Sequence, residues 1–347
     1  MSYTNGLDKP SDYFNTVLYT GTGSELSISS LDFSPDWVWV KQRGADASHF
    51  LYDSVRGATK SIRSNSTNAE ATVSESLKSF DSNGFTLGTS AEPNTSSGTY
   101  VGWSWRGSDS SASSNTDGSI TSTVSANTTA GFSIVTWTAG SGVGSIGHGL
   151  GVAPSMIIVK GRSSAIGWVT GLKSNGWNNY LQLQSTNANT NDQRMFSPSG
   201  QSDPTSTVWY QDHAALGSSG DTMVGYVFAD TGNKFFKTGK YTGNGSASGP
   251  YIYTGHKPAA IIIKRTDVAK NWYINDNLRE GYNNDNPYIS PNLSVAETGG
   301  TEIDILSNGF RITAGGTGHN QSGGTYIYAS IAENPFVTSS GVPACAR

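Results

Sequence analysis

A short apolar run closed by a lysine occurs three times: Pro35-Asp-Trp-Val-Trp-Val-Lys41, Pro154-Ser-Met-Ile-Ile-Val-Lys160 and Pro258-Ala-Ala-Ile-Ile-Ile-Lys264. The body of each copy is β-branched or aromatic and too short for a helix. The pattern therefore predicts a strand buried on both faces. A proline can open such a strand without breaking a ladder, and the lysine is expected to mark the return to water.

Two further landmarks recur around these strands. Upstream lies an aromatic-Thr-Gly-like turn at Tyr19-Thr-Gly-Thr-Gly23, Trp137-Thr-Ala-Gly-Ser-Gly142 and Tyr241-Thr-Gly-Asn-Gly245, which begins 16, 17 and 17 residues before the proline. Downstream lies an alternating strand at Thr99-Tyr-Val-Gly-Trp-Ser-Trp105, Thr222-Met-Val-Gly-Tyr-Val-Phe228 and Thr325-Tyr-Ile-Tyr-Ala-Ser-Ile331, which begins 64, 68 and 67 residues after it. Three landmarks at matched spacing predict a tandem array. The expected layout is an N-terminal arm at 1–16, β unit 1 at 17–107, β unit 2 at 108–232 with a leading hairpin at 119–137, β unit 3 at 233–337 and a tail at 338–347. Within the Ser/Thr-rich stretch at the start of unit 2, Ile120, Ser122 and Val124 alternate with polar residues and predict a half-exposed strand. Residues 69–80 are the single helix candidate, weakened by Ser and β-branched content. Short strands with frequent turns give an all-β class, three tandem units of β-sandwich or jelly-roll type.

Composition agrees. Of 347 residues only 14% are charged, 42 are Gly, and nine Trp and sixteen Tyr supply large core side chains. This is poor helix material and good material for strands and turns. A net charge of −4 leaves no electrostatic footprint for nucleic acid. No apolar run approaches the roughly 20 residues of a membrane helix, and the first residues lack a signal-peptide pattern. The expectation is a protein made in a cytosol without membrane insertion. The only cysteine, Cys345, excludes a disulfide framework.

Units 1 and 3 share a polar set. Asp53 and Asp276 lie 18 residues after the proline, and Arg56 and Arg279 lie 21 after it. Asn65 with Glu70 and Asn292 with Glu297 follow, then Asn83-Gly-Phe85 and Asn308-Gly-Phe310. Unit 2 has Leu172 and Asn175 at the Asp and Arg positions and shows no matching Asn-x-x-x-Ala-Glu element. The foremost reading is structural: arginine bridges aspartate to a loop. A calcium site of Asp, Asn and Glu oxygens is the second reading. A glycosidase acid pair of Asp53 and Glu70 is the third, opposed by the adjacent arginine, which would keep an acid ionised. Gly142-Val-Gly-Ser-Ile-Gly147 mimics a dinucleotide motif but precedes a strand, not a helix. The scattered histidines suit loop anchoring better than metal ligation. In unit 2, Trp177, Tyr180, Trp209 and Tyr210 sit on or beside loops rich in Asn and Gln. They are candidates for a glycan-binding site, with core packing as the competing reading.

Asp117-Gly-Ser-Ile-Thr-Ser-Thr-Val-Ser-Ala-Asn127, Ala130-Gly-Phe-Ser-Ile-Val135, the stretch from His148 to Lys160 and the closing Tyr326-Ile-Tyr-Ala-Ser-Ile-Ala-Glu-Asn-Pro-Phe336 resemble a repeated β domain of bacteriophage virion structural proteins, common in marine phages and cyanophages. The resemblance implies a tail-fibre or spike component of the virion, engaged in host-surface attachment. It implies no known activity, so no catalytic residues carry over and the expected protein is not an enzyme. It also implies other virion proteins as partners and a homo-oligomer, a trimer being favoured. The alternatives are a capsid decoration protein, a glycan-binding module and a polysaccharide depolymerase.

Overall fold

The protein was analysed as a computed structural model, which describes residues 7–108, 110–212, 217–232, 235–279, 283 and 286–336. It is all-β. Among the described residues helical structure is limited to one turn at Ala91–Asn94 and two 3-10 turns at Pro10–Asp12 and Lys173–Asn175.

One antiparallel strand order appears three times. In the first sheet an opening strand Phe14–Thr20 pairs with a closing strand Thr99–Trp105, which pairs with the core strand Trp37–Gln42, which pairs with a return strand His49–Asp53. The same order holds for Phe132–Thr138, Thr222–Phe228, Met156–Gly161 and Trp168–Leu172. It holds again for Phe236–Thr242, Thr325–Pro335, His256–Arg265 and Trp272–Asp276. The second sheet is widened by Ser122–Asn127, which pairs with Phe132–Thr138, and by Ser113–Asn115, which pairs with Ser122–Asn127. Each main sheet carries a small sheet on one face. Leu26–Ile28, Gly84–Leu87 and Leu77–Asp81 form the first, Val143–Gly147 and Val208–Asp212 the second, and Tyr251–Tyr253, Gly309–Ile312 and Ile303–Leu306 the third. In the Asn-Gly-Phe elements, a Cβ at Gly84 would lie 1.7 Å from the Ile28 carbonyl oxygen, and one at Gly309 would lie 2.0 Å from that of Ile252. Only glycine lets the small sheet close there.

Each core strand is buried on both faces, because each face meets a different core. Val38 and Val40, Ile157 and Val159, and Ile261 and Ile263 face separate sandwich cores. Trp37 and Trp39, Met156 and Ile158, and Ala260 with Ile262 face one central core shared by all three main sheets. Trp37 anchors it, with ring centroids 4.3 Å from both Trp105 and Tyr226 and 5.8 Å from Phe132. A linear array in which each repeat touches only its neighbours is thus replaced by three sheets packed around a common centre.

Two expectations are corrected. The lysines do not return to water: Lys41, Lys160 and Lys264 are fully buried. Residues 69–80 form strands Ala71–Thr72 and Leu77–Asp81, because Thr72 and Val73 are β-branched and Ser74 and Ser76 compete for backbone hydrogen bonds. The N-terminal arm is tied down from Leu7 on. Leu7 and Asp8 are buried, Lys9 bridges Asp12 and Asp32, and the opening strand starts at Phe14. Residues 1–6 and the tail 338–347 lie outside the described residues.

Candidate functional site

The chemistry of the chain gathers where one unit meets the next. The first residue of each return strand donates across a junction to a backbone carbonyl. Trp168 Nε1 reaches the Arg63 oxygen at 2.9 Å, Trp272 Nε1 the Gln182 oxygen at 2.9 Å, and His49 Nε2 the Ser290 oxygen at 3.0 Å. Unit 1 thus meets unit 2, unit 2 meets unit 3, and unit 3 meets unit 1, closing a ring. Main-chain bonds of 2.8 Å repeat the pattern, from the N–H groups of Glu70, Asn189 and Glu297 to the carbonyls of Arg162, Thr266 and Arg43.

At two junctions this contact continues into a buried ladder of charges. Arg56 donates through Nε to Asp53, through Nη1 to Glu70 at 3.0 Å and through Nη2 to the Leu51 carbonyl at 3.0 Å. Glu70 also accepts a fork from Arg162 of unit 2 at 3.0 Å per bond, and the Tyr226 hydroxyl of unit 2 donates to Asp53 at 2.7 Å. Burial alone would raise the Glu70 carboxyl, but the guanidinium groups of Arg162 and Arg56 hold it below its ordinary value. The unit 3–unit 1 junction repeats the arrangement. Arg279 donates to Asp276 at 2.8 Å, to Glu297 at 3.0 Å and to the Ile274 carbonyl at 2.7 Å. Arg43 forks onto Glu297, and Trp103 Nε1 donates to Asp276 at 2.9 Å.

The unit 2–unit 3 junction lacks this ladder. Leu172, Asn175 and Asn189 take the places of Asp, Arg and Glu, with Asn175 Nδ2 donating to Asn189 Oδ1 at 2.8 Å. Ala329 takes the place of Trp103 and Tyr226, so no donor is left without its carboxylate. Unit 2 has a counterpart of the Asn-x-x-x-Ala-Glu element built from other residues. Gln184-Ser-Thr-Asn-Ala-Asn189 occupies the site of Asn65-Ser-Thr-Asn-Ala-Glu70, and its Gln184 side chain accepts the Trp168 N–H at 2.8 Å, as Asn65 and Asn292 accept those of His49 and Trp272. The shared Ser-Thr-Asn-Ala at one offset from the proline was the available signal.

Two of the three lysines reach across the junctions, and the third bonds within its own unit. Lys160 Nζ donates to the Gly161 carbonyl at 2.7 Å and across to that of Thr67 at 3.1 Å, and Lys264 Nζ donates to those of Arg265 at 2.6 Å and Thr186 at 3.3 Å. Lys41 Nζ donates to the carbonyls of Gln42 and Ala45. Burial lowers each of them to about 8.

This geometry bears on every candidate residue. Asp53, Arg56 and Glu70 meet in one network with Asn65 beside it, and Asp276, Arg279, Glu297 and Asn292 do the same. The carboxylate oxygens required by the calcium and acid-pair readings face guanidinium groups. Among the described residues there is no group of three or more His, Cys, Asp or Glu side chains that could hold a metal. The aromatic set of unit 2 does not form an exposed platform. Trp177 packs on Phe196 at 5.8 Å, and Trp209 is buried between Trp137 at 5.3 Å and His148 at 6.4 Å. Tyr180 and Tyr210 are half-buried. Large rings beside loops were drawn inward because unit 2 needs them to fill its own sandwich. His148 anchors a loop, its Nε2 against the Thr205 carbonyl at 3.2 Å.

Residues 9–335 match the family described as a domain of unknown function, DUF7483. The chain belongs to the DUF7483 family. The match runs from the 3-10 turn before the first opening strand to the end of the last closing strand, so the DUF7483 domain is the entire ring and not one of its units. No curated protein matches the chain.

Proposed function

We propose that this DUF7483 protein is a non-enzymatic structural component of a bacteriophage virion, a tail fibre or spike element that contributes to host-surface attachment. The observation that carries the reading is where the buried charge goes. Glu70 and Asp53 are bonded by Arg162 and Tyr226 of unit 2, Glu297 and Asp276 by Arg43 and Trp103 of unit 1, and Arg56 and Arg279 hold those carboxylates in place from within their own units. A protein that invests its buried ion pairs in fixing the relative position of its parts is built as a rigid scaffold. The sequence resemblance supplies the virion context, the expected virion partners and the expectation of symmetric copies.

A second reading, the capsid decoration protein, draws on the ring itself. One chain already places three similar sheets around one centre, so a single copy presents three related faces.

Immunogold labelling of intact phage particles that encode the protein is the test. Gold on tail fibres or spikes supports the first reading, and gold on the head supports the second. Free protein with unlabelled particles would overturn both and favour a secreted glycan-binding module. Release of reducing ends from host-surface polysaccharide would replace the non-enzymatic reading by the depolymerase. Light scattering adds the assembly arm: a trimer accords with a fibre, and a stable monomer at micromolar concentration with decoration.

A further inference from the structure

The small sheet of unit 3 exposes two aromatic rings that its counterparts lack. In strand Tyr251–Tyr253, Ile252 points inward while Tyr251 and Tyr253 are 47% and 55% exposed. Ile252 pairs with Phe310 as Ile28 pairs with Phe85 in unit 1 and Ile146 with Trp209 in unit 2. That register makes Ser27 and Ser29 the equivalents of the two tyrosines in unit 1, and Ser145 and Gly147 their equivalents in unit 2. The inward apolar residue is common to all three sheets, whereas the outward aromatics occur in one. The fold therefore does not need these rings, and their exposure keeps apolar area in water.

The surroundings decide what would cover them. Tyr251, Arg311 and Asp304 stand in register across the three strands on the outer face. The Tyr251 hydroxyl donates to Asn308 Oδ1 at 2.5 Å, which sets the ring, and Arg311 Nη2 donates to Ser248 Oγ at 2.7 Å. The two tyrosines project from one face with Cα atoms about 7 Å apart, twice the rise per strand residue. A protein interface would require a continuous apolar centre. Here two separate rings stand among a guanidinium, a carboxylate, an amide and a hydroxyl. Sugar rings match that pattern, since their C–H faces stack on aromatics while amides and charged groups bind their hydroxyls.

We propose that this face binds a carbohydrate chain. Tyr251 and Tyr253 stack on successive pyranose rings, and Arg311, Asp304 and Asn308 hydrogen-bond their hydroxyls. The inference deepens the surface-attachment part of the function proposed above, but its test is independent of the virion.

The test is saturation-transfer NMR on the full chain with cellopentaose, maltopentaose, chitopentaose and laminaripentaose. The variant is Tyr251→Ser with Tyr253→Ser, which installs the residue found at these positions in unit 1 and should melt like the wild type. The expected result is transfer from the protein to the C–H protons of at least one oligosaccharide, reduced at least fivefold in the variant. Absence of transfer from the wild type to all four sugars, or equal transfer from the variant, would overturn the proposal. Failure to bind sugar with gold on the particles removes this site and leaves the virion reading. Sugar binding with unlabelled particles does the reverse.

Discussion

Replacing Arg279 by methionine tests the claim that the junction ladder holds the ring. The side chain is wholly buried and donates to Asp276, Glu297 and the Ile274 carbonyl. Methionine keeps the apolar stem but removes all three bonds. Glu297 retains Arg43, and Asp276 retains Trp103 Nε1 and two backbone N–H groups. What is lost is the countercharge of a buried carboxylate, which costs about 3–5 kcal/mol, while the Ile274 carbonyl loses a bond worth about 1 kcal/mol. The filled volume returns part of this, so the expected loss is about 3–4 kcal/mol. Urea unfolding followed by tryptophan fluorescence reads it, and calorimetry should show a melting point several degrees lower. Arg194→Met is the control, because Arg194 pairs with Asp192 through a side chain that is 58% exposed, and it should leave stability nearly unchanged. An Arg279→Met loss no larger than that of the control would refute the reasoning.

The other predictions concern unit 2 and pH. Trp209→Ala and Trp177→Ala should each cost about 3–5 kcal/mol in the same urea assay, as buried tryptophans do; unchanged stability in either would reopen the recognition reading for that residue. Burial lowers His49 and His319 to about 3 and His148 to about 4, while the unfolded chain takes up protons near 6.5. Stability is therefore full above that value and falls as pH drops from 6.5 toward 4, by about 2 kcal/mol per histidine at pH 5, and a melting point flat from pH 7 to 5 would contradict this. The three lysines act at the other end. Their lowered values mean that the unfolded chain binds more protons between pH 8 and 10.5, so melting points should rise above pH 8. The buried tyrosines, raised by desolvation, reverse that trend above about pH 10. A steady decline from pH 7 upward would count against the buried lysines.

The residues of the ladder were legible from spacing, since an aspartate and an arginine at fixed offsets from a core strand must lie at the end of the return strand. Their partners in the next unit were not. Arg162 and Glu70 are 92 residues apart and Arg43 and Glu297 are 254 apart, and no local pattern links them. The counterpart in unit 2 was hidden for a related reason. Gln184 replaces an Asn and Asn189 replaces a Glu, so a search by residue type failed where offset from the proline would have succeeded. The tyrosines of strand Tyr251–Tyr253 passed unnoticed because their significance depends on the serines at the same register elsewhere.

By itself the sequence determined the core and closing strands, their threefold recurrence, the all-β class and the double-sided burial of each core strand. These depend on side-chain alternation within a few residues, where the preference for strand is set. Only the tertiary structure decided which side of each strand meets which core. Closure of three sheets around one centre turned Lys41, Lys160 and Lys264 from expected surface markers into buried donors to backbone carbonyls. It also sent Trp177 and Trp209 inward while leaving Tyr251 and Tyr253 outside. The physical reason is that burial belongs to a pair of surfaces, and a strand's pattern specifies only one of the two.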